Sequence, residues 1–402
     1  MAVMAFDRER GGGSVRVAFD IATRLASRGH LITVVCEDSF GRNLEKEEAN
    51  GLTVLRYRLP RAGTLRISRG LEHIHAVKRL VRKHLKEAPA IIHGHSPLQY
   101  RALLDLFCGR SRCCYTVHSP AVEELSIVWR SKGKAGKVKA LFGLPIIKRL
   151  ERSSYQQSSR LTALSDYTIR LIAQHYGNAV ASKIALIPGW VDTQRFRPPS
   201  QTEVSQLKRQ FGWPIHVPTF FVLRRLEPRM GLDNLLRSHA IVKERGFRAH
   251  LAIGGSGSMR TQLEELRNKL GLREDVSFLG FIPNDRVPMA YSACDASVIP
   301  STRLECFGLI ALESLACGRT TIVTPVGALP EITKGIEPAW ITPNATAAGM
   351  AEMLIDFING RLPRHDAEEL HSYVRNAYSA EKGVCAYEET LLGGPVTPSS
   401  GT

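Results

Sequence analysis

Several absences bound this sequence before any motif is read. No apolar run approaches the roughly 18 residues of a membrane-crossing helix, and the first residues lack the charged-then-apolar pattern of a secretory leader. The eight cysteines, at positions 36, 108, 113, 114, 294, 306, 317 and 385, include no C-x-x-C pair. That argues against a disulfide framework or a zinc site and for a reducing, cytoplasmic setting. No D-x-D pair offers carboxylates to a divalent cation, and no G-x-G-x-x-G dinucleotide fingerprint occurs. Acidic residues are scarce in the first half. Through Pro199 there are 16 Asp+Glu against 33 Lys+Arg, whereas from Ser200 onward there are 22 against 21. The net charge of +16 therefore resides entirely in the first half. Such asymmetry points to an anionic partner: nucleic acid, an anionic membrane surface or an acidic substrate.

What is present is a chain of 402 residues, long enough for two domains of about 200 residues each. Short apolar runs alternate with helix-spaced segments throughout, the pattern of an α/β protein with parallel sheets. In the first half the expected strands are Leu31–Cys36, Thr53–Tyr57, Pro89–His93, Cys113–Val117, Leu161–Ser165 and Lys183–Ile187. In the second they are Thr219–Leu223, Ala249–Ile253, Val276–Leu279, Ala296–Pro300 and Thr321–Thr324. Prolines 198 and 199 and the change in charge set the boundary near 197–200. Gly393 to Thr402 is rich in Gly, Pro, Ser and Thr and reads as a disordered tail.

The densest chemistry follows the strand at 296–300. Glu305 falls in the loop after that strand, and Glu313 falls inside the helix that begins near Gly308. The carboxyl ends of strands are where open α/β sheets bind ligands. The amides of Gly308, Leu309 and Ile310 open the helix and suit a phosphate. Two carboxylates around free amides can hold the sugar, phosphate and ribose of a nucleotide sugar. Upstream, Arg224, Arg225 and Arg229 sit just past a strand, where guanidinium groups suit a diphosphate. Gly254, Gly255 and Gly257 form a side-chain-poor turn where a base or ribose can come close. In the first half, Gly11-Gly12-Gly13 precedes a helix, and His95 and His118 each lie just past a strand end.

Residues 129–152 carry eight Lys+Arg (130, 132, 134, 137, 139, 148, 149 and 152) and a single acid, Glu151, with Val138, Leu141, Phe142, Leu144, Ile146 and Ile147 interspersed. The mixture suits either an anionic lipid surface or a solvated helix face plus a loop. It lacks the aromatic platforms that single-stranded nucleic acid needs.

Taken together, these motifs resemble those of the retaining glycosyltransferases of family 4. The likeness runs through Gly11-Gly12-Gly13 with Arg28-Gly29-His30, His93-Gly94-His95-Ser96, Thr116-Val117-His118, and Ile187-Pro188-Gly189-Trp190-Val191-Asp192. It continues in the E-x7-E pair Glu305 and Glu313 around Phe307-Gly308, and in Pro325-Val326-Gly327-Ala328-Leu329-Pro330-Glu331. The resemblance implies a GT-B fold, two Rossmann-like doubly wound domains facing a central cleft. Residues 1–198 would form the acceptor-side domain and 199–375 the nucleotide-sugar domain, with a helix at 376–392 packing back on the first.

It further implies a metal-independent transferase without a cofactor, moving a sugar from a nucleotide diphosphate to a hydroxyl on a lipid-linked, polysaccharide or small-molecule acceptor. The setting would be the cytoplasm, peripherally at the inner face of the cell membrane. Glu305 would contact the donor sugar and Glu313 the ribose. Arg225 would hold the diphosphate, Gly12 or Gly13 would lie near the donor phosphate and acceptor, His118 would sit beside the reacting centre and His95 on the acceptor side. One position departs from the family pattern: Met230 stands where a lysine is usual, and the expectation is that its neighbour Arg229 supplies the charge. A non-catalytic homologue acting as a glycan-binding or partner subunit is the alternative that the missing lysine supports. A sugar-nucleotide epimerase is a third.

Overall fold

The computed structural model describes residues 1–7, 11–59 and 69–393. The expected disordered tail lies outside them except for Gly393. The chain forms two compact units, one of Met1–Pro188 together with Glu381 onward, the other of Gly189–Ala380.

The first unit holds strands β1 (Ile32–Glu37), β2 (Lys46–Ala49), β3 (Leu52–Tyr57), β4 (Ile91–Gly94), β5 (Arg112–Val117), β6 (Arg160–Ala163) and β7 (Ile184–Leu186). They pair in the orders β1-β3-β2 and β4-β5-β6-β7. All pairings are parallel except the short edge pair β2–β3. The first residues join the two sets. Ala2 bridges Val35 on one side and Gly94 on the other, with Ala2 N donating to His93 O and Val3 N to Val35 O. The order in which strands are added therefore reverses between this segment and β4. The loops after them, which carry Gly11–Gly13 and His95, flank that switch point, where doubly wound sheets bind ligands.

One core cluster joins these strands to the helices packed against them. Ile92, Tyr100, Leu104, Leu161 and Ile172 are at most 2% exposed, each contributing about 1.5–3 kcal/mol by burial.

The second unit is a five-stranded, wholly parallel sheet of β8 (Thr219–Leu223), β9 (His250–Gly254), β10 (Val276–Gly280), β11 (Ala296–Ile299) and β12 (Thr320–Val323). Its order is β10-β9-β8-β11-β12. The chain steps one way from β8, then crosses to the other side, so the switch point lies between β8 and β11.

The unit boundary, at Pro188/Gly189, precedes the 198/199 expected from the prolines. The intervening segment packs on the second unit. Gly189 abuts Phe307, where an added Cβ would come within 2.6 Å of the ring. Val191 N donates to Tyr378 O, and Phe196 is fully buried with its ring 6.4 Å from that of Tyr291. A separate helix, Ala367–Ala377, precedes the one expected at 376–392, which spans Ala380–Leu392 and from Glu381 onward belongs to the first unit. Its Tyr387 is fully buried, 6.0 Å from the His93 ring, and its Glu388 accepts from Arg28 and His30. Stretch 129–152 spans the end of helix Ala121–Arg130 and most of helix Gly133–Gln157, which pair antiparallel with only a short turn between them, so the long loop of one expected alternative is absent there. Among the described residues no helix is long and apolar enough to cross a membrane.

The final helix is held mainly by apolar burial, not by its ion pairs. Tyr387→Ala should therefore cost about 3–5 kcal/mol in urea unfolding, whereas Glu381→Ala, at a carboxylate 76% exposed, should change stability by less than about 0.5 kcal/mol.

Candidate active site

In the second unit, the loops leaving β8 and β11 meet across the switch point. Arg224, the first residue past β8, donates from Nη2 to Glu305 Oε2 at 2.5 Å, to Ser301 Oγ at 2.9 Å and to Met230 Sδ at 2.7 Å. Ser301 Oγ in turn donates to Glu305 Oε2 at 2.8 Å. The Arg224 and Glu305 side chains are only 7% and 13% exposed. Burial by itself would raise the Glu305 pKa. The charge and hydrogen bond of Arg224, the Ser301 hydroxyl and the charge of Arg229 outweigh it, and the carboxyl is held below its ordinary value. Glu305 is therefore an anion with one oxygen pinned.

The backbone around this pair is constrained. Leu304 adopts a left-handed φ of 49°, unfavourable for a branched side chain, and Arg229 Nη1 donates to its carbonyl at 2.9 Å. Gly327, at φ 65°, lies so close that a Cβ would sit 2.0 Å from the Glu305 carbonyl oxygen, while Ala328 N donates to that oxygen at 2.8 Å. Gly231, at φ 71°, would bring a Cβ within 1.8 Å of the Pro300 carbonyl. Backbone thus closes in on both flanks of the ion pair, the β8 loop against Pro300 and the loop after β12 against Glu305.

The expected site residues divide by location. Glu305, Phe307, Gly308, Leu309, Ile310 and Glu313 fall together at the entry to helix Leu309–Ala316, for which Gly308 is the N-cap. Glu313 is 2% exposed. Phe307 is also buried, facing Gly189 and, at 6.2 Å between ring centres, Tyr378. Gly254, Gly255 and Gly257 run beside the β8 loop: Arg224 N donates to Gly254 O and Leu226 N to Ser256 O. Here the missing side chains admit neighbouring backbone, since a Cβ on Gly255 would lie 1.8 Å from Arg224 O. Arg225 is exposed. Arg229 is engaged with the Leu304 carbonyl.

Two contributors that the motifs did not single out are Ser301 and the role of Arg224 as the partner of Glu305. Arg224 was legible only as one of three arginines. Its position directly after the last strand residue, where the alternation of side chains along a strand separates it from Arg225, is the signal that distinguishes the two.

In the first unit, His95 and His118 lie past the ends of adjacent strands β4 and β5, and His95 Nδ1 and His118 Nε2 share a hydrogen bond of 2.9 Å. Beneath them, His93 Nε2 bonds Thr116 Oγ1 at 2.8 Å, and Thr116 bonds Thr162 at 2.7 Å. Burial lowers the pKa of His118 to about 4 and, together with the amino terminus and His118, that of His93 to about 3. Burial and then the neighbouring histidines push His95 down as well. All three are neutral rings near pH 7, able to relay or orient a proton but not to supply positive charge.

The segment after His118 is fixed from below. The buried Glu151 accepts from Ala121 N at 2.7 Å, Val122 N at 3.0 Å, Tyr155 Oη at 2.9 Å and Tyr176 Oη at 2.6 Å. It thereby caps helix Ala121–Arg130 from another helix, as an anion at a helix N-terminus should. Gly12 is the N-cap of helix Gly13–Ser27, and both glycines are exposed. Among the described residues no group of three His, Cys, Asp or Glu side chains could hold a metal ion.

Two family models match the chain, Glycosyltransferase Family 4 over residues 11–195 and Glycosyl transferases group 1 over 204–379. An uncharacterized glycosyltransferase of Methanocaldococcus jannaschii is 36% identical over 162 residues, 39% of this chain and 41% of that protein. A GDP-mannose-dependent alpha-(1-6)-phosphatidylinositol monomannoside mannosyltransferase of Mycobacterium tuberculosis is 26% identical over 87% of both chains. The chain spans 39–44% of the length of the curated relatives it matches first. Among solved structures, sucrose-phosphate synthase from Thermosynechococcus elongatus superposes with a TM-score of 0.80 at 19% identity, over 96% of this chain and 97% of that one. The fold is GT-B, two Rossmann-like domains.

The histidine layer makes stability depend on pH. His93 has a folded pKa below its ordinary value of 6.5, so between about pH 6.5 and 4 the unfolded chain binds the extra proton and stability falls as pH is lowered. Each such histidine adds a slope of about 1.4 kcal/mol per pH unit. Urea unfolding across this range should lose one such increment in His93→Gln, and an unchanged slope would contradict the assignment.

Proposed function

This chain belongs to the group 1 glycosyltransferases with a family 4 N-terminal half, and from that premise we propose that it moves a glycosyl group from a nucleotide-diphosphate sugar to a hydroxyl acceptor with retention of configuration. The observation that carries the reading is the Arg224–Ser301–Glu305 cluster at the switch point of the second unit, one turn ahead of a helix N-terminus.

Glu305, ionised and with one oxygen tied to Arg224 and Ser301, offers its other oxygen to hydroxyls of the donor sugar. The amides at 308–310 and the side chains of Arg225 and Arg229 meet the diphosphate, and Glu313 meets the ribose. The bond from the anomeric carbon to the diphosphate oxygen breaks as the acceptor oxygen bonds to the same face, and the acceptor's proton passes to the departing phosphate. Charge builds on that phosphate in the transition state, so cations and amides fixed in advance lower the barrier. Arginines and amides supply this charge without a metal ion. Neutral His118, oriented by His95, lines the acceptor side with Gly12 and Gly13. The basic first half supports an acceptor that is anionic or is carried at an anionic surface.

One observation favours a second reading, a non-catalytic homologue. Met230 occupies the position where the family has a lysine, and its sulfur is packed on Arg224, so one expected cation is missing.

A panel of nucleotide-diphosphate sugars tests both readings by thermal shift and by release of nucleoside diphosphate. A donor at 100 times its Kd should add about 2.7 kcal/mol of stability. Glu305→Gln should retain binding of the free nucleoside diphosphate but lose about 10²-fold or more in turnover. Donor binding without turnover in the unmodified chain, with any acceptor class supplied, would favour the non-catalytic reading.

A further inference from the structure

Helix Gly133–Gln157 has two unlike faces. Gly136, Ala140, Glu151, Ser154 and Tyr155 are buried. Gly136 and Gly143 are pressed against Trp129 of the preceding helix, where an added Cβ would come within 1.9 Å and 2.5 Å of it. On the opposite face, Val138, Leu141, Phe142 and Ile146 are 58%, 69%, 70% and 61% exposed. At 100° per residue these four fall within about 140° of the helix circumference, a contiguous apolar stripe that a monomeric soluble surface seldom shows. Lys134 and Arg149 extend the stripe at its two ends, and Lys137, Lys139 and Lys148 flank it.

The charge is uncompensated. Glu151, the only acid in 129–152, turns inward to cap helix Ala121–Arg130. None of the eight basic residues of this stretch makes a salt bridge among the described residues; Lys139 lies over the Trp129 ring at 4.6 Å.

We propose that this helical hairpin is a docking surface for an anionic lipid bilayer, with Val138, Leu141, Phe142 and Ile146 entering the headgroup–acyl boundary and the surrounding lysines and arginines meeting lipid phosphates. Charge complementarity selects this occupant. A second copy of the chain would bring the same cations against one another, whereas an anionic membrane offers negative charge and an apolar layer at the depth the stripe needs. Close packing of Gly136 and Gly143 on Trp129 makes the hairpin a rigid platform. Its first helix begins three residues after His118, which ties the platform in sequence to the segment assigned to the acceptor side. In its consequence for the acceptor the inference rests on the proposed transferase reading; the docking itself does not.

Co-sedimentation of the full chain with phosphatidylcholine vesicles, with and without phosphatidylglycerol, tests it. Binding is expected only to the anionic vesicles and should weaken as salt is raised. The triple variant Leu141→Ser/Phe142→Ser/Ile146→Ser should bind at least about tenfold more weakly. Lys134→Gln/Lys137→Gln should lose about fivefold per residue. The thermal shift given by nucleoside diphosphate reports that the variants remain folded. Absence of binding to anionic vesicles at low salt overturns the proposal, as does equal binding by folded variants, or retention of the chain only by an acidic protein. Transfer to a soluble acceptor is measured in parallel. Its persistence without vesicle binding sinks the docking surface alone, and vesicle binding without transfer sinks the transferase reading alone.

Discussion

The second unit turns on one buried charge pair. Arg224 and Glu305 come from loops that follow strands β8 and β11, and neither is stable in that position without the other. Taking a carboxylate out of water is repaid only when a cation and further donors meet it, here the guanidinium and the Ser301 hydroxyl. Removing one partner of such a pair typically costs about 3–5 kcal/mol, because a buried charge is left alone. The surrounding backbone is arranged so that the pair has one geometry. Leu304 is left-handed with its carbonyl tied by Arg229, Gly327 lets a loop lie against Glu305, and Gly231 lets the β8 loop lie against Pro300. Strain and close approach concentrated at one point are what a pre-positioned carboxylate requires.

The first unit presents the opposite electrostatics. Its strand ends carry neutral imidazoles kept uncharged by burial, and its buried carboxylate Glu151 is spent on a helix terminus and two tyrosines. A fixed anion–cation cluster at the strand ends of one unit and uncharged rings at those of the other set the two apart electrostatically.

Much of this was legible in the residues. Parallel strands such as Thr219–Leu223 and Ala296–Ile299 stand out because both their faces are covered, so they are largely apolar. Glu305, Gly308 and Glu313 could be placed because a loop and the helix after it are local in sequence. The parts that escaped are nonlocal or unpatterned. Strand β2 is Lys46-Glu47-Glu48-Ala49, an edge strand whose charges suit solvent and hide it from any apolar pattern. The insertion of Ala2 between β1 and β4 depends on pairings more than 30 and 90 residues away. Helix Gln201–Phe211 carried a readable capping box, Ser200 with Glu203, yet its apolar face is too sparse to announce a helix. The distinction between Arg224 and Arg225 is a matter of which way the chain leaves a strand, and the value of Glu151 appears only once Ala121 and Tyr176 are brought to it.

The return of helix Ala380–Leu392 to the first unit has a further consequence. A ribosome releases the chain from its amino end, so residues 1–188 emerge long before the helix that completes their core. Until then, the surfaces that Val384, Tyr387 and Leu391 cover remain wet. The second unit is continuous in sequence and can close as soon as it has been made. In order of birth the first unit is the elder; in order of completion it is the younger, and the nascent protein must carry an unfinished apolar face through the synthesis of everything between.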